Sequence, residues 1–230
     1  MEKVAFIGSY DKTDMLTYIG RVLTIMGKRV LIADSTALQK SRYIIPTMKP
    51  ERQYITTFDR VDIAIGFESL EQIIAYKKEE EENELDYDYL LVDIDSFKGY
   101  HNFKIGTEDK KYFVTSFDIY CLRRGLQVFR RLEVPTPVTK VYFTKDMLTA
   151  EDDYLNFLSR GLKVKWNSDI VYFPFELGDQ NVIFANQRSG KLRIRGLSSQ
   201  YIDGIGYIAG EISGENSGAI KKAIKIFERN

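Results

Sequence analysis

Short apolar runs alternate with amphipathic stretches along the whole chain. The runs are almost entirely apolar, which is typical of strands buried on both faces of a sheet. They predict strands at Lys3–Ile7, Arg29–Ala33, Ile63–Phe67, Tyr89–Asp93, Lys111–Thr115, Val138–Phe143 and Ile170–Phe173. The stretches between them repeat apolar residues three and four positions apart and predict helices at Asp14–Met26, Ser69–Asn83, Phe117–Leu132, Glu151–Leu158 and Ser199–Ile212.

This alternation predicts an α/β fold of three layers, in which a mostly parallel sheet carries helices on both faces. Residues 1–212 are expected to form that domain. Residues 213–218, SGENSG, have the composition of a flexible linker. Residues 219–230 predict a separate C-terminal amphipathic helix.

The C-terminal helix carries an apolar face and a basic face. Helical spacing places Ile220, Ile224 and Phe227 on the first face and Lys221, Lys222 and Lys225 on the second. A basic amphipathic helix suits an anionic membrane surface. A final helix that packs on the core or on a protein partner has the same pattern, so both interpretations stay open.

Composition excludes several classes of function. The 33 Lys and Arg residues balance the 33 Asp and Glu residues, so nucleic acid is not expected as a partner. One cysteine and one histidine exclude a disulfide framework within the chain and a Cys/His zinc site. The N-terminus enters a strand directly, without a signal-peptide layout. We therefore expect a cytoplasmic protein, with peripheral contact at the inner face of the membrane as an option through the C-terminal helix.

The order of motifs is that of phosphate-binding α/β proteins. The first strand leads to the start of a helix, and Asp34 and Asp93 end two later strands. Phosphates bind at helix N-termini, and strand-end carboxylates hold Mg²⁺ or its water shell. Strand-end aspartates also cap the turns that follow them, so a purely structural role is the alternative.

Four segments of the chain resemble, in family order, the MinD/ParA family of P-loop ATPases. Residues 3–34 are similar to the first strand, P-loop region, first helix and second strand, and 87–96 (YDYLLVDIDS) resembles the Walker B segment. Residues 111–132 and 171–196 are similar to later strand–helix units of that family. The resemblance implies a P-loop NTPase-like fold, a homodimer, and ATP with Mg²⁺ held by Gly8, Lys12 and Thr13, with Asp34 and Asp93 as the catalytic and Mg²⁺-shell acids.

The phosphate loop departs from the family pattern. The pattern G-x-x-x-x-G-K-[ST] places six residue steps between the first glycine and the lysine, whereas Gly8 and Lys12 are four apart. Asp11 stands where the second glycine would turn the backbone around a phosphate. Thr144-Lys145 stands where many relatives have an asparagine for the base. We therefore expect no bound cofactor, and ATP with Mg²⁺ only if the site has kept its function.

Three functions are consistent with this sequence. The first is a non-catalytic pseudo-ATPase that acts as an adaptor or scaffold in positioning or assembling a membrane-associated or segregation apparatus. The second is a weakly active, ATP-dependent dimerisation switch. The third is a metal-dependent nucleotide-sugar transferase, because Asp93 and Asp95 form an Asp-x-Asp motif after an apolar strand and could hold a divalent cation.

Overall fold

The computed structural model of the chain describes residues 1–45, 53–79, 85–144 and 149–229. Its strands are β1 (Glu2–Ile7), β2 (Val30–Asp34), β3 (Tyr54–Phe58), β4 (Val61–Ile65), β5 (Tyr89–Ile94), β6 (Lys110–Thr115), β7 (Thr136–Phe143) and β8 (Val164–Phe173). Its helices are α1 (Thr13–Ile25), α2 (Ser41–Ile44), α3 (Leu70–Glu79), α4 (Phe97–Asn102), α5 (Ile119–Leu126), α6 (Thr149–Leu158), α7 (Leu177–Ser189), α8 (Ser199–Ser213) and α9 (Ser217–Phe227), with a 3₁₀ helix at Gln127–Arg131.

The described strands form one sheet in the order β3-β4-β2-β5-β1-β6-β7-β8. Strand β3 pairs antiparallel with β4, and the other neighbouring pairs are parallel. The α/β fold with a mostly parallel sheet is therefore as predicted. Because β1, β2 and β5 are parallel neighbours, their carboxyl ends meet at one edge of the sheet.

Each face of the sheet has its own apolar core. One core joins the sheet to α1, α8 and α9, and the other joins it to α3, α4, α5 and α6. Helix α1 is buried along most of its length, because its apolar side chains face both the sheet and α8. That packing fixes the N-terminus of α1 at the edge where the parallel strands end.

The long helix predicted at Phe117–Leu132 is divided in the structure. Helix α5 begins after Asp118, whose side chain accepts a hydrogen bond from the backbone N–H of Cys121 at 2.9 Å. It gives way to the 3₁₀ helix after Leu126. A Cβ on Gly125 would lie 2.8 Å from the ring of Phe113, so close approach to the sheet requires a glycine with low helix propensity there.

The predicted flexible linker at 213–218 is a short helix-to-helix connection in the structure. Ser213 belongs to α8, Ser217 begins α9, and Gly214 ends α8 in the left-handed conformation with φ +68°. Asn216 caps α9 by accepting a hydrogen bond from the backbone N–H of Ala219 at 3.0 Å. Residues of linker composition are thus the caps of two helices.

Helix α9 packs on the domain. Its predicted apolar face is turned inward, with Ile220, Ala223 and Phe227 buried against α1 and α8 and Ile224 partly buried beside them. The lysines of its other face are exposed: Lys221, Lys222 and Lys225. Among the described residues, no helix combines the length and the apolar character that crossing a membrane requires.

Candidate functional site

The loop between β1 and α1 lies at the carboxyl edge of the sheet, beside the ends of β2 and β5. Gly8 follows β1 directly, and its N–H donates a hydrogen bond to the carbonyl of Ile94 at 2.9 Å. Gly8 has φ +146°, and a Cβ at this position would lie 2.0 Å from the carbonyl oxygen of Val114. Only glycine fits this close approach between the loop and β6.

Lys12 is buried inside this loop. Its Nζ donates hydrogen bonds to the carbonyl oxygens of Gly8 at 2.7 Å and Tyr10 at 3.1 Å. The same Nζ lies 2.7 Å from Oδ1 of Asp93, and both side chains are at least 95% shielded from solvent. The lysine of the loop is thus held by protein oxygens on several sides.

Asp93 is the buried partner of that lysine. Burial raises the pKa of Asp93 to about 7, although the neighbouring Lys12 ammonium acts to lower it; Asp34 raises it further. The carboxyl end of β5 therefore holds a carboxylate that is costly to ionise and that is already paired.

Asp11 lies directly before Lys12, the N-cap residue of helix α1. Its Oδ1 accepts hydrogen bonds from the backbone N–H of Thr13 at 3.1 Å and from the Thr13 hydroxyl at 3.0 Å. Its Oδ2 pairs with the Nζ of Lys40, which also lies 3.6 Å from Asp14. Hydrogen bonds and charge from Lys40 and Thr13 outweigh burial and lower the pKa of Asp11. Asp11 therefore brings a negative charge to the helix N-terminus.

Asp34 holds the turn after β2. Its Oδ1 accepts hydrogen bonds from the N–H and hydroxyl of Thr36 at 3.1 and 2.6 Å, and its Oδ2 accepts from the N–H and hydroxyl of Ser41 at 3.1 and 2.7 Å. Four hydrogen bonds occupy this carboxylate. This is the geometry of an aspartate that caps the turn after its strand, the structural role given above as the alternative to Mg²⁺ binding.

Asp95 joins the same edge but is arranged differently from Asp93. Its Oδ2 accepts a hydrogen bond from the N–H of Ala37 at 3.0 Å, and its Oδ1 is buried without a hydrogen bond. A cation shared by Asp93 and Asp95 would have to displace the Lys12 ammonium from Asp93. Within the described part of the chain, no group of three or more His, Cys, Asp or Glu side chains is placed to hold a metal ion.

Two clefts flank the loop. One, of about 150 Å³, lies over Gly8, Lys12 and Asp93. The other, of about 200 Å³, lies towards α7 and is lined by aromatic and acidic side chains. Tyr10, Asp11 and Lys40 line both clefts and stand between them.

The structure brings together most of the residues that the sequence singled out: Gly8, Lys12, Thr13, Asp34, Asp93 and Asp95. The C-terminal set belongs to α9, which packs on a different part of the domain. Lys145 lies outside the described residues. Sequence reasoning missed Lys40, which approaches from the loop before α2 and gives no periodic or motif signal.

Sequence reasoning also missed the aromatic cluster beside the loop. The rings of Tyr10 and Phe143 stack with centroids 4.5 Å apart, and the ring of Phe175 lies 6.1 Å from that of Tyr10. These residues come from three distant parts of the chain, after β1, at the end of β7 and after β8. The observation that each follows or ends a predicted parallel strand could have placed them at one edge.

Comparisons with known proteins support the fold. No protein-family model matches the chain, and no curated protein matches it by sequence. Solved structures match over nearly the whole length. MinD from Aquifex aeolicus is 19% identical with a TM-score of 0.56 over 94% of this chain and 98% of that chain. The MinC:MinD cell division protein complex of the same organism is 17% identical with a TM-score of 0.57 over 94% of this chain and 97% of that chain.

A plasmid partition protein from Borrelia burgdorferi B31, solved with AMPPNP bound, is 12% identical with a TM-score of 0.53 and covers 93% of this chain and 98% of that chain. The chain therefore has the predicted MinD/ParA-like fold, with helices on a mostly parallel sheet. At these identities the likeness concerns the fold, and the activity has to be argued from the site.

Proposed function

We propose that this chain, with its MinD/ParA-like fold, is a non-catalytic adaptor or scaffold that helps to position or assemble a membrane-associated or segregation apparatus. One observation carries the proposal: the carboxylate of Asp11 occupies the N-terminus of α1 and is paired with Lys40. In P-loop ATPases that helix end and its loop hold the phosphates of ATP.

Electrostatics supports this interpretation. A helix N-terminus attracts a phosphate through its free N–H groups and its positive dipole end. Here Asp11 accepts the N–H of Thr13, and its charge complements the dipole. A triphosphate would have to displace a carboxylate from its own helix or lie against it, and both arrangements are unfavourable.

The small volume of the clefts beside the loop also supports the proposal that the chain does not bind ATP. Small-molecule sites typically have a volume of about 300 Å³ or more. The clefts of about 150 and 200 Å³ are each smaller, and the Asp11–Lys40 pair stands between them with Tyr10. The ammonium of Lys12, which a P-loop presents to phosphate, is surrounded by the oxygens of Gly8, Tyr10 and Asp93. These residues do not fit a Mg²⁺–ATP complex.

An adaptor requires a surface for its partner. Large apolar side chains are exposed around the same edge of the sheet, in the segments that follow β2, β6 and β8: Leu38, Ile119, Tyr120, Phe175 and Leu177. Exposed apolar surface of this kind favours protein association, with a second copy or with another protein. We therefore place the partner surface at the carboxyl edge, and a homodimer is the simplest assembly it would support.

The decisive experiment is calorimetric titration of the purified chain with ATP and Mg²⁺. We expect no saturable binding at micromolar concentrations. A cooperative thermal transition, recorded on the same preparation, shows that the protein is folded. Micromolar binding in the wild type would contradict the proposal, and comparison of Lys12→Ala with Lys28→Ala would then show whether the ligand occupies the loop.

The second candidate function is an ATP-dependent dimerisation switch. The observation that favours it is the position of Lys12 and Thr13, the N-cap and the first residue of α1, at the carboxyl edge beside Asp93, as the phosphate-contacting residues of a P-loop would be. A protein of this kind would bind ATP in the titration above and would associate when ATP is added.

A further inference from the structure

We propose that the cleft between the loop 9–14 and α7 binds an arginine side chain from a basic segment of a protein partner. This proposal rests on the adaptor function, because it names the chemistry of the partner that the carboxyl edge would receive. It concerns the cleft of about 200 Å³, which sequence reasoning did not identify.

Aromatic rings form one side of the cleft. Phe143 is buried beneath the stacked ring of Tyr10, and Phe175 covers both with its ring 6.1 Å from Tyr10 and 6.4 Å from Phe143. Phe175 is 41% exposed, and Phe184 on α7 is 47% exposed across the cleft. The face of an aromatic ring is electron-rich and attracts a cation, and a guanidinium also stacks on it.

The charge of the cleft has the sign that attracts a cation. Within the described part of the chain, four carboxylates line it, and they belong to Asp11, Asp14, Glu176 and Asp179. Among the described residues that line the cleft there is one cation, the ammonium of Lys40, which is paired with Asp11. Glu176 is exposed at the rim, and no residue in the described ranges pairs with its side chain. Clefts lined by one sign of charge concentrate ligands of the opposite sign.

The carboxylates of the cleft differ in how many hydrogen bonds they already accept. Asp179 accepts hydrogen bonds from the backbone N–H and hydroxyl of Ser198, which hold it in the wall. Asp14 accepts from Gln187 at 2.8 and 3.0 Å, and burial raises its pKa. Lys40 also lies 3.6 Å from Asp14, so the carboxylate that remains for an entering guanidinium is that of Glu176 at the rim.

Size and surroundings favour a single long side chain. A cleft of about 200 Å³ is below the usual volume of a small-molecule site. Arginine has a slender aliphatic stem for the apolar wall and a planar head for the rings and carboxylates. Leu177, 79% exposed at the start of α7, provides apolar surface for residues flanking the arginine.

The test is an NMR titration of the ¹⁵N-labelled full chain with an amidated pentapeptide that has a central arginine flanked by leucines. The matched probe has citrulline instead of arginine, which keeps the shape and removes the charge. We expect saturable shift changes at the amides of Tyr10, Phe175 and Glu176 with the arginine peptide. The citrulline peptide should bind about tenfold more weakly or not at all.

Exposed positions provide the variants, so folding is not at risk. Glu176→Gln and Phe175→Ala should each weaken binding by about three- to tenfold. Glu211→Gln on α8 and Phe157→Ala on α6 change an exposed acid and an exposed ring outside the cleft, and we expect both to bind like the wild type.

Several results would overturn the inference: no saturable shift change up to millimolar peptide, equal binding of the citrulline peptide, or shift changes confined to α8 and α9. The adaptor function would survive any of these results provided that the chain does not bind ATP. If ATP binds at micromolar concentration, the adaptor function is wrong, whereas the peptide titration still reports on the cleft by itself.

Discussion

At the scale of single residues, the burial of Asp93 makes stability depend on pH. Burial raises the pKa of Asp93 to about 7, above the value of about 4 for an unfolded aspartate. Between these two values the folded state binds a proton that the unfolded state has lost. The contribution of Asp93 is therefore present below about pH 4 and is lost as pH rises towards 7, by up to about 4 kcal/mol.

Asp93→Asn should remove this pH dependence. The measurement is urea unfolding of the wild type and the variant between pH 4 and 8. The difference between their free energies of unfolding cancels the titration of the other carboxylates. We expect the free energy of unfolding of the wild type to fall relative to that of Asp93→Asn as pH rises to about 7. Above that pH the difference between the two free energies should be constant. A difference that stays flat across the range would show that Asp93 titrates normally.

Gly8 allows a second prediction, with Gly27 as its matched control. Gly8→Ala should destabilise the protein by about 3 kcal/mol or more, because the new Cβ would meet the carbonyl oxygen of Val114 at 2.0 Å. Gly27 also has a positive φ, of +83°, but nothing lies within 4 Å of an added Cβ, so Gly27→Ala should cost only about 1–2 kcal/mol. Urea unfolding at pH 7 measures both. Equal losses would mean that the loop moves away from β6.

The sequence predicted that Gly8, Lys12 and the strand-end aspartates meet at one edge of the sheet, but not how their side chains pair. The order of a strand, Gly8, Lys12 and a helix is recognisable as a loop at the end of a strand. Parallel strands bring their carboxyl ends to one edge of the sheet, which places the strand-end aspartates beside that loop. The pairing of Asp11 with Lys40 depends on a long-range loop contact that no local pattern encodes. For the same reason the sequence left open whether Asp34 caps its turn, and the four hydrogen bonds it accepts are visible only in the structure.

At the scale of elements, α9 is part of the core of the domain. Phe227 is 2% exposed and lies against α1, with its ring 6.3 Å from the ring of Tyr18 and 5.7 Å from the guanidinium carbon of Arg21. The amphipathic pattern predicted a helix at residues 219–230, and α9 spans Ser217–Phe227. It could not specify which surface covers the apolar face, because a membrane, a partner and the core all bury the same residues.

Phe227→Ala should therefore destabilise the whole domain. Truncation of a buried aromatic ring costs about 3–5 kcal/mol. Ile226, the preceding residue, is 40% exposed, so Ile226→Ala should cost less than about 1 kcal/mol and provides the control. The measurement is the midpoint of urea unfolding. If the two variants unfold alike, α9 does not pack on α1 in solution.

The exposed lysines of α9 allow a test of the membrane contact that the sequence left open. With the apolar face buried, only charge can attract α9 to an anionic vesicle, by about 1 kcal/mol for each lysine. We expect weak, salt-sensitive co-sedimentation that decreases in the triple variant Lys221→Gln, Lys222→Gln, Lys225→Gln. The variant Lys163→Gln, Lys165→Gln on the rim of β8 should behave like the wild type. Salt-resistant binding would require that α9 leaves the domain and inserts its apolar face.

At the scale of the whole molecule, the regular alternation of strands and helices was enough to predict the class of fold. Runs such as Tyr89–Ile94 are buried on both faces of the sheet, so they are continuous rather than alternating. Strand β3 was not predicted, because an edge strand buried mainly on one side lacks such a run. The order of strands follows from long-range pairing and is known only from the structure.

The same scale provides a test of how the chain associates. A switch that uses ATP should form more dimer when ATP and Mg²⁺ are present, whereas an adaptor that associates through apolar side chains should not respond. We expect sedimentation velocity over a range of protein concentrations to show the same association with and without ATP.

The variants for this test replace large apolar side chains that are exposed to solvent. Leu38, 82% exposed at the carboxyl edge, should be required for association, so Leu38→Ser should shift the equilibrium towards monomer. Phe157 is 58% exposed on α6, and Phe157→Ser is the matched control that should leave association unchanged. Association that increases with ATP would instead support the switch. A wild type that stays monomeric at all concentrations would contradict the homodimer and leave the exposed apolar surface to a different protein.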